Sequence, residues 1–320
     1  MALLRVFGNI LMPRGHGMLK AERFFLLSSI FLFFVLGHTP FATWAQTGVD
    51  EHIAEGMKAY VQGNYQEALD EFTKAIDIKP NHAQAYTNRG LAKYRLGDID
   101  GALDDHTMAI KKNPNFAAAY TNRGGARFLK GDVEGAIADH TKALELFPEY
   151  VQALNNRGFV KLHIGDVDGA TADFDQALTL NPFDPSAYTN RASAHLAEAR
   201  SLKLKGDPEG AQKHLEEAAR DATKALVLNP QLAPTYSLRG RILQEVMALD
   251  KALEDFNKAI ELDPNLPTAY LNRGSIRIVK KDYESGLEDI YRALEIAPDL
   301  GPVAEPWIEH ATKGLEEQAR

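Results

Sequence analysis

Small apolar residues and turn residues recur along this chain at a spacing of 34 positions. Alanines mark it at Ala75, Ala109, Ala143, Ala177, Ala225, Ala259 and Ala293, and prolines at Pro80, Pro114, Pro148, Pro182, Pro230, Pro264 and Pro298. A glycine stands near the middle of most intervals, at Gly63, Gly97, Gly131, Gly165 and Gly206. Each interval therefore predicts a helix, a turn at the glycine, a second helix and a proline stop.

A five-residue motif recurs with the same spacing. It reads Tyr-Thr-Asn-Arg-Gly at positions 86–90 and again at 120–124, with variants at 154–158, 188–192, 236–240 and 270–274. Repetition at a fixed interval of this length indicates stacked supersecondary units rather than one or two compact cores.

This pattern resembles the tetratricopeptide repeat family over residues 49–300. The second unit matches that family with Tyr86, Gly90, Ala102, His106, Ala109 and Pro114, and the first with Gly56, Ala68, Phe72, Ala75 and Pro80. The resemblance implies an all-α fold, a right-handed superhelical solenoid of antiparallel helix pairs. Expected units are residues 49–82, 83–116, 117–150, 151–184, 185–232, 233–266 and 267–300, and residues 301–320 are expected to form a capping helix.

The fifth unit is longer than the others, because the interval from Pro182 to Pro230 is 48 positions. Its turn signature, Gly206-Asp207, has additional residues on both sides. We therefore expect two lengthened helices, over about 186–205 and 208–227, that project roughly 10 Å beyond their neighbours. The charged tip, with Lys203, Lys205, Asp207, Glu209 and Lys213, is either a solvated protrusion or a docking or dimer contact.

Arginines and acids form a first periodic row of polar residues. The arginines are Arg89, Arg123, Arg157, Arg191, Arg239 and Arg273, and the acids are Glu71, Asp105, Asp139, Asp173, Asp221, Asp255 and Asp289. Only the first unit lacks the arginine and has Glu55 there, and it is also the only unit without a predecessor. We therefore predict that each arginine pairs with the acid of the preceding unit, as in Glu71 with Arg89, and that the row is structural.

Asparagines form the second row, at Asn88, Asn122, Asn156, Asn190 and Asn272. The family resemblance places them on a concave groove, where stacked asparagines can hold a peptide backbone, because an amide both donates and accepts hydrogen bonds. Thr87, Thr121, Tyr94, Arg95 and Phe128 are predicted to line the same groove. The alternative is that asparagine is merely tolerated at an exposed position.

Charged chain ends are not the expected ligand of this groove. The co-chaperone arrays that clamp a C-terminal carboxylate place basic residues around the asparagine. The corresponding positions, four before each asparagine, hold Gln84, Ala118, Gln152, Ser186 and Thr268. The prediction is therefore a peptide backbone rather than a carboxylate terminus.

Four residues depart from the family pattern. His106 and His140 replace an aromatic residue and are interpreted as core histidines, with a metal or pH-sensing role as the alternative. Met247 stands where glycine makes the turn in most units, and Gly286 replaces an alanine. Both of the latter are expected to loosen the structure locally.

Residues 1–45 have the organisation of a targeting segment. A basic stretch to Arg23 precedes an apolar run at residues 24–36, which suits the core of a signal peptide. Small residues at Thr43 and Ala45 allow cleavage before Gln46, so we expect export to the periplasm or secretion. The alternative is an uncleaved segment that anchors the protein to the inner membrane through residues 24–36.

Composition narrows the possible chemistry. The chain has no cysteine, which excludes thiol catalysis, disulfides and thiolate metal sites. Residues 1–45 carry four basic residues against Glu22, a net charge of +3, so the total of −8 leaves −11 for the rest. An acidic body disfavours nucleic acid as a partner, since phosphate binding needs a basic surface. No catalytic motif, cofactor signature or metal-binding motif is present, so an enzyme is not expected.

The sequence thus predicts a non-catalytic scaffold that binds an extended segment of another protein in a concave groove. The alternative is a protein that assembles or tethers envelope complexes through the long hairpin of the fifth unit or through the convex face. The sequence does not indicate an oligomeric state.

Overall fold

The computed structural model describes residues 48–319, and the regular structure in this range is entirely helical, which confirms the all-α fold class. The helices are α1 (Gly48–Val61), α2 (Tyr65–Ile78), α3 (Ala83–Arg95), α4 (Ile99–Lys112), α5 (Ala117–Leu129), α6 (Val133–Leu146), α7 (Val151–His163), α8 (Val167–Leu180), α9 (Pro185–Lys205), α10 (Pro208–Leu228), α11 (Ala233–Glu245), α12 (Leu249–Leu262), α13 (Pro267–Val279), α14 (Tyr283–Ile296) and α15 (Gly301–Gln318), with a short 3₁₀-helix at Pro298–Leu300. None of these helices is both long and apolar enough to cross a bilayer. The predicted leader, residues 1–45, lies outside the described residues.

Helices that follow one another in the chain pack in pairs, α1 with α2, α3 with α4, and so on to α13 with α14. Two compact bodies are formed, one by residues 48–180 and one by residues 181–319, and we call them the N-terminal and C-terminal bodies. Within each body the second helix of a pair also packs on the first helix of the next pair, as α2 does on α3 and α10 on α11.

The Gly-Asp pairs make the turns and also start the second helices. Gly97 and Gly131 have φ values of 88° and 84°, in the left-handed region that glycine enters without steric cost. The aspartate that follows caps the next helix, and the carboxylates of Asp98 and Asp132 each accept a hydrogen bond of 2.9 Å from the backbone N–H three residues later.

Glycine in the first helix and a ring in the second helix make the close contact inside five of the seven pairs. A Cβ on Gly158 would lie 2.7 Å from Cε1 of Phe174, and a Cβ on Gly124 would lie 2.8 Å from Cε1 of His140. These distances are shorter than van der Waals contact, so a side chain at either glycine would force the helices apart. The family pattern of glycine and aromatic is therefore a packing pair.

The C-terminal body begins with the longest helices, since α9 and α10 each have 21 residues where most first and second helices have 13 or 14. The extension is tied to the next pair. Glu245 at the end of α11 accepts hydrogen bonds of 2.8 Å from Arg200 and 2.7 Å from Lys203. Burial of the Glu245 carboxyl works to raise its pKa, but Arg200 and Lys203 outweigh burial and lower it. The tip beyond them is exposed, and Leu204 retains 71% of its surface.

Two departures from the repeat pattern behave differently from expectation. Met247 keeps the turn geometry with φ 60°, and Lys281 does the same with φ 67°. These side chains therefore strain the backbone of the turn instead of loosening it. Gly286 brings α13 and α14 closer, because a Cβ there would lie 2.5 Å from Cγ1 of Ile278. The prediction that Gly286 loosens the last pair is therefore wrong.

The last helix, α15, covers the apolar surface of α14. Ala304, Trp307 and Ala311 belong to one buried cluster with Ile290 and Ala293 of α14. Gly314 lies directly against the ring of Tyr283, which leaves no room for a side chain at that position. The exposed side of α15 is charged, as a terminal helix facing water requires.

Candidate peptide-binding surface

The arginines of the repeated motif bind aspartates of their own helix pair. Arg89 donates from Nε and Nη2 to the two carboxylate oxygens of Asp105, at 2.9 and 2.7 Å. The same two-pronged geometry joins Arg123 to Asp139, Arg157 to Asp173, Arg191 to Asp221, Arg239 to Asp255, and Arg273 to Asp289. The predicted pairing with the preceding unit is therefore wrong.

Antiparallel packing explains the correction. In most units the arginine and the aspartate are 16 positions apart on opposite sides of the turn, which places them across from each other in one hairpin. The preceding unit contributes a weaker contact, because Nη1 of Arg89 and Arg123 reaches a threonine hydroxyl there, at 3.4 and 3.5 Å. The first unit has no such arginine, and its acid, Glu71, is bound by His52 and Lys74, both at 2.6 Å.

A second cation joins the pair in four units. Lys93 and Lys161 place Nζ at 2.9 and 2.8 Å from the aspartates of their own hairpins, and Arg127 and Arg277 place Nη1 at 2.9 Å. Each also donates to a main-chain carbonyl of the second helix, for Lys93 that of Gly101 at 3.4 Å. We call this row of arginine, second cation and aspartate the ion-pair seam.

The threonines of the motif do not line a groove. Thr87 and Thr121 are buried, and each hydroxyl donates to the carbonyl four residues earlier, at 3.2 Å, in its own helix. Threonine here satisfies its hydroxyl inside the helix and places its methyl group in the interface between helices. The prediction that Thr87 and Thr121 face a ligand is therefore wrong.

The asparagines are also more buried than a freely exposed row would be. Asn88, Asn156, Asn190 and Asn272 retain 8 to 9% of their surface, whereas Asn122 is partly exposed. Asn272 donates to the carbonyl of Thr268 at 2.7 Å, and Nδ2 of Asn88 is buried without a hydrogen-bond partner among the described residues. Asn122 is therefore the most exposed asparagine of this row.

Aromatic residues and arginine form a cluster where α1 meets α3. The Arg95 guanidinium lies 4.5 Å from the ring centroid of Tyr65 and 5.9 Å from that of Tyr60, and it donates to the Tyr65 hydroxyl. Burial raises the pKa of Tyr60, and its hydroxyl has no partner among the described residues. The charge of Arg95 is thus already engaged by two rings, and its place in a groove stays a prediction. Tyr94, beside it, is partly exposed.

Phe128 belongs to the core rather than to an open surface. It retains 3% of its surface and packs edge-on against the rings of Phe159 and His163 of α7, at centroid distances of 5.7 and 5.1 Å. The partly exposed Phe159 and Leu162 take the place that the sequence assigned to Phe128. Phe128 as a groove residue is therefore a wrong prediction.

His106 and His140 are core residues, as interpreted, but their rings are not satisfied. Both nitrogens of His140 and Nδ1 of His106 are buried without a hydrogen-bond partner among residues 48–319. Burial lowers the pKa of His106 to about 4 and that of His140 to about 3, so both rings are neutral at physiological pH.

Comparison with known proteins agrees with this arrangement of paired helices. A family model described as "TPR repeat" matches residues 58–97 and 248–277, and models described as "Tetratricopeptide repeat" match residues 83–116 and 267–300. Residues 58–116 and 248–300 therefore match tetratricopeptide repeats. No curated protein matches its sequence.

Solved structures share the tetratricopeptide repeat fold at low identity. A tetratricopeptide repeat protein from Parabacteroides merdae is 20% identical, with a TM-score of 0.60, over 83% of this chain and 99% of that one. A monomeric mutant of IFIT1 solved with Gppp-AAAA is 16% identical, with a TM-score of 0.68, over 85% and 72%. The first repeat domain of Spaghetti (RPAP3), bound to the HSP90 peptide SRMEEVD, is 32% identical, with a TM-score of 0.36, over 37% and 94%.

Tetratricopeptide repeats are generally non-catalytic scaffolds that bind other proteins. In this repeat protein the first helices of the N-terminal body, α1, α3, α5 and α7, contact one another in sequence and form one continuous surface. Its helices carry the partly exposed side chains of Leu91, Tyr94, Arg95, Asn122, Phe159 and Leu162, whereas Asn156 is nearly buried. We call this continuous surface the first-helix surface.

Proposed function

We propose that the protein is a non-catalytic scaffold whose first-helix surface binds an extended segment of another protein. The observation that supports this best is the position of Asn122. Its amide is partly exposed and makes no hydrogen bond to another described residue, while Phe159 and Leu162 offer apolar surface nearby on the same row of helices. An amide can pair with peptide main chain of any sequence, and the apolar groups would receive side chains.

The ligand is proposed to be internal peptide rather than a charged chain end or nucleic acid. In the first helices of the N-terminal body, the arginines and two of the three lysines are held by the ion-pair seam or by aromatic rings, so they are not free to bind a carboxylate or a phosphate. The net charge of −11 for residues 46–320 also disfavours a ligand that carries negative charge. Export through residues 1–45 would place this surface outside the cytoplasm.

A screen with immobilised peptides tests this proposal. The full-length protein is expected to bind a subset of extended peptides, and Asn122→Ala is expected to weaken binding by about 1 to 2 kcal/mol, or roughly 5- to 30-fold. Asn156→Ala should have a smaller effect, because less of its amide is accessible. Asn115→Ala, an exposed asparagine in the loop before α5, is the matched control.

Three results would contradict the proposal. One is peptide binding that Asn122→Ala leaves unchanged. Another is preferential binding of the free carboxylate of SRMEEVD over its C-terminal amide. A third is binding of single-stranded RNA that competes with peptide.

The lengthened hairpin supports a second function, assembly or tethering of envelope complexes. Leu204 is 71% exposed at its tip and lies between Lys203 and Lys205, so an apolar side chain there is available to a partner. If this hairpin is the docking element, Leu204→Ser should abolish partner capture while Asn122→Ala leaves it intact.

A further inference from the structure

Three potential metal ligands converge inside the lengthened hairpin. Nδ1 of His195 on α9 lies 3.1 Å from Nδ1 of His214 on α10. Oε2 of Glu217, one turn after His214, lies 3.5 Å from Nδ1 of His195 and 3.8 Å from that of His214. No other group of three such residues approaches this closely in the part of the chain that the structure describes.

The three distances match the coordination sphere of a small divalent cation. A triangle with edges of 3.1, 3.5 and 3.8 Å has its centre about 2.0 Å from every corner, which is the bond length of zinc to imidazole nitrogen and carboxylate oxygen. Two imidazoles and one carboxylate are also a donor set that zinc uses when it keeps a fourth position open. The side chains retain 13 to 31% of their surface, so solvent and an ion can reach the fourth position.

Hydrogen bonding alone satisfies this cluster poorly. Nδ1 of His195 and Nδ1 of His214 face each other, so one must donate and the other accept while both rings are neutral. The accepting nitrogen has no proton left for Glu217. A cation at the centre would accept a lone pair from all three atoms at once.

Four of the other six hairpins place a cationic side chain at the corresponding position, whereas the first has Ala59 and the sixth has Leu243. His195 occupies the position of Lys93, Arg127, Lys161 and Arg277, the second cations of the ion-pair seam. Glu217 occupies the position of Gly101, whose carbonyl binds Lys93 at 3.4 Å. In the fifth unit Asp221 is bound by Arg191, and within residues 48–319 no lysine or second arginine contacts it.

We infer that His195, His214 and Glu217 bind a divalent metal ion of the zinc class, which supplies between α9 and α10 the positive charge that lysine or arginine supplies in other hairpins. His214 and the extra turn that carries it have no counterpart in units of ordinary length. The ion therefore joins the two lengthened helices, and its open position can take water or a donor from a partner.

Competition with a chromophoric chelator for Zn²⁺ tests the inference on the full-length protein. Because other histidines bind zinc weakly, the result that matters is whether the protein binds one equivalent of Zn²⁺ tightly. We expect His195→Lys to remove it, with a loss of affinity larger than the roughly 10- to 100-fold caused by removing a supporting residue of a metal site. His214→Gln should do the same, and Glu217→Gln should weaken binding less.

The design separates loss of metal from loss of fold. Lysine is the natural residue at this position in the second and fourth units, so His195→Lys restores a cation and should keep the helical content and melting temperature of the metal-free protein. His310→Gln, an exposed histidine of α15, is the matched control and should keep the tight equivalent. Zn²⁺ should raise the melting temperature of the wild type and of His310→Gln only.

Two results would overturn the inference. The first is a wild-type protein without a tight zinc equivalent. The second is a tight equivalent that survives both His195→Lys and His214→Gln. Either result is readable without knowing any partner of the protein, so it is independent of the proposed peptide surface.

Discussion

The second and third units have a histidine in the core where the fourth and sixth have a phenylalanine. His106 and His140 stand where Phe174 and Phe256 stand, and all four rings pack so closely on a glycine of the first helix that a Cβ there would lie 2.7 to 2.8 Å from the ring. The shape of the contact is therefore the same, but the histidines bring nitrogens that the core does not satisfy. The comparison shows that a flat ring of this size fits the contact whether it is apolar or polar. The polar ring lowers the stability of the protein in acid.

Removing the seam aspartates tests whether the two kinds of hairpin differ only in the core, and it should give the largest effect. Asp139→Ala in the third unit and Asp173→Ala in the fourth each leave two cations without their shared partner. We expect each to lower the free energy of unfolding by about 3 to 5 kcal/mol, measured by urea denaturation at pH 7. Clearly unequal losses would show that the seam and the core ring are coupled, against our view.

Replacing both histidines should make the acid response of the two kinds of hairpin equal. The pKa values of His106 and His140 are lowered in the folded state, so the unfolded chain binds more protons below the ordinary histidine pKa of about 6.5. The free energy of unfolding is therefore not reduced by these histidines above about pH 6.5, and it falls as the pH is lowered. Between pH 7 and pH 5 each histidine should lower the free energy of unfolding by about 2 kcal/mol.

Between pH 7 and pH 5, the free energy of unfolding of His106→Phe/His140→Phe should therefore fall by about 4 kcal/mol less than that of the wild type. Urea denaturation at both pH values measures the difference. Because Phe72, Phe174 and Phe256 already occupy the equivalent sites, no clash is expected. Equal acid losses in the two proteins would refute the assignment of the acid response to these rings.

The reverse exchange should transfer the acid response to the fourth unit. Phe174→His places a buried imidazole against Gly158, and we expect a cost of about 1 to 3 kcal/mol at pH 7 for its unsatisfied nitrogens. A further loss of about 2 kcal/mol should appear between pH 7 and pH 5. Phe174→Leu serves as the control, since it changes packing without adding a titratable group and should show no added acid dependence.

The smallest effect concerns the turn of the sixth unit. This turn distinguishes the sixth unit from the fourth, although both have phenylalanine in the core. Met247 has φ 60°, where five other turns have glycine, and its side chain is 66% exposed. Met247→Gly should relieve the strain and raise the free energy of unfolding by up to about 1 kcal/mol in the same denaturation assay. Lys281→Gly should act in the same direction, and destabilisation by both would contradict the role of φ.

The sequence was sufficient to predict the helix pairs because their determinants are local. Glycine-aspartate turns, proline stops and alanines at a fixed interval each act within a few residues, and the structure has helices where these signals place them. The lengthened helices follow from the same count, since 21-residue helices surround Gly206.

The direction of individual side chains could not be predicted from spacing. The absence of an arginine in the first unit fits pairing between units as well as pairing within them, and only the packing of α3 on α4 decides between the two. The sequence places Thr87 in the groove beside Asn88, but its hydroxyl donates a hydrogen bond within its own helix. The cluster at His195 was missed because its members are 19 positions apart, although a histidine in a row of lysines and arginines was a visible signal.

Each two-pronged arginine-aspartate contact lies inside one hairpin, and this has a consequence for how such a chain can change its length. Charges that paired across hairpins would leave one partner alone at every new end. Here both members of each buried arginine-aspartate pair belong to the same hairpin, so a segment encoding a hairpin can be duplicated, lost or lengthened without separating such a pair. The fifth hairpin is 14 residues longer than the others, and it still keeps its own arginine-aspartate contact, between Arg191 and Asp221.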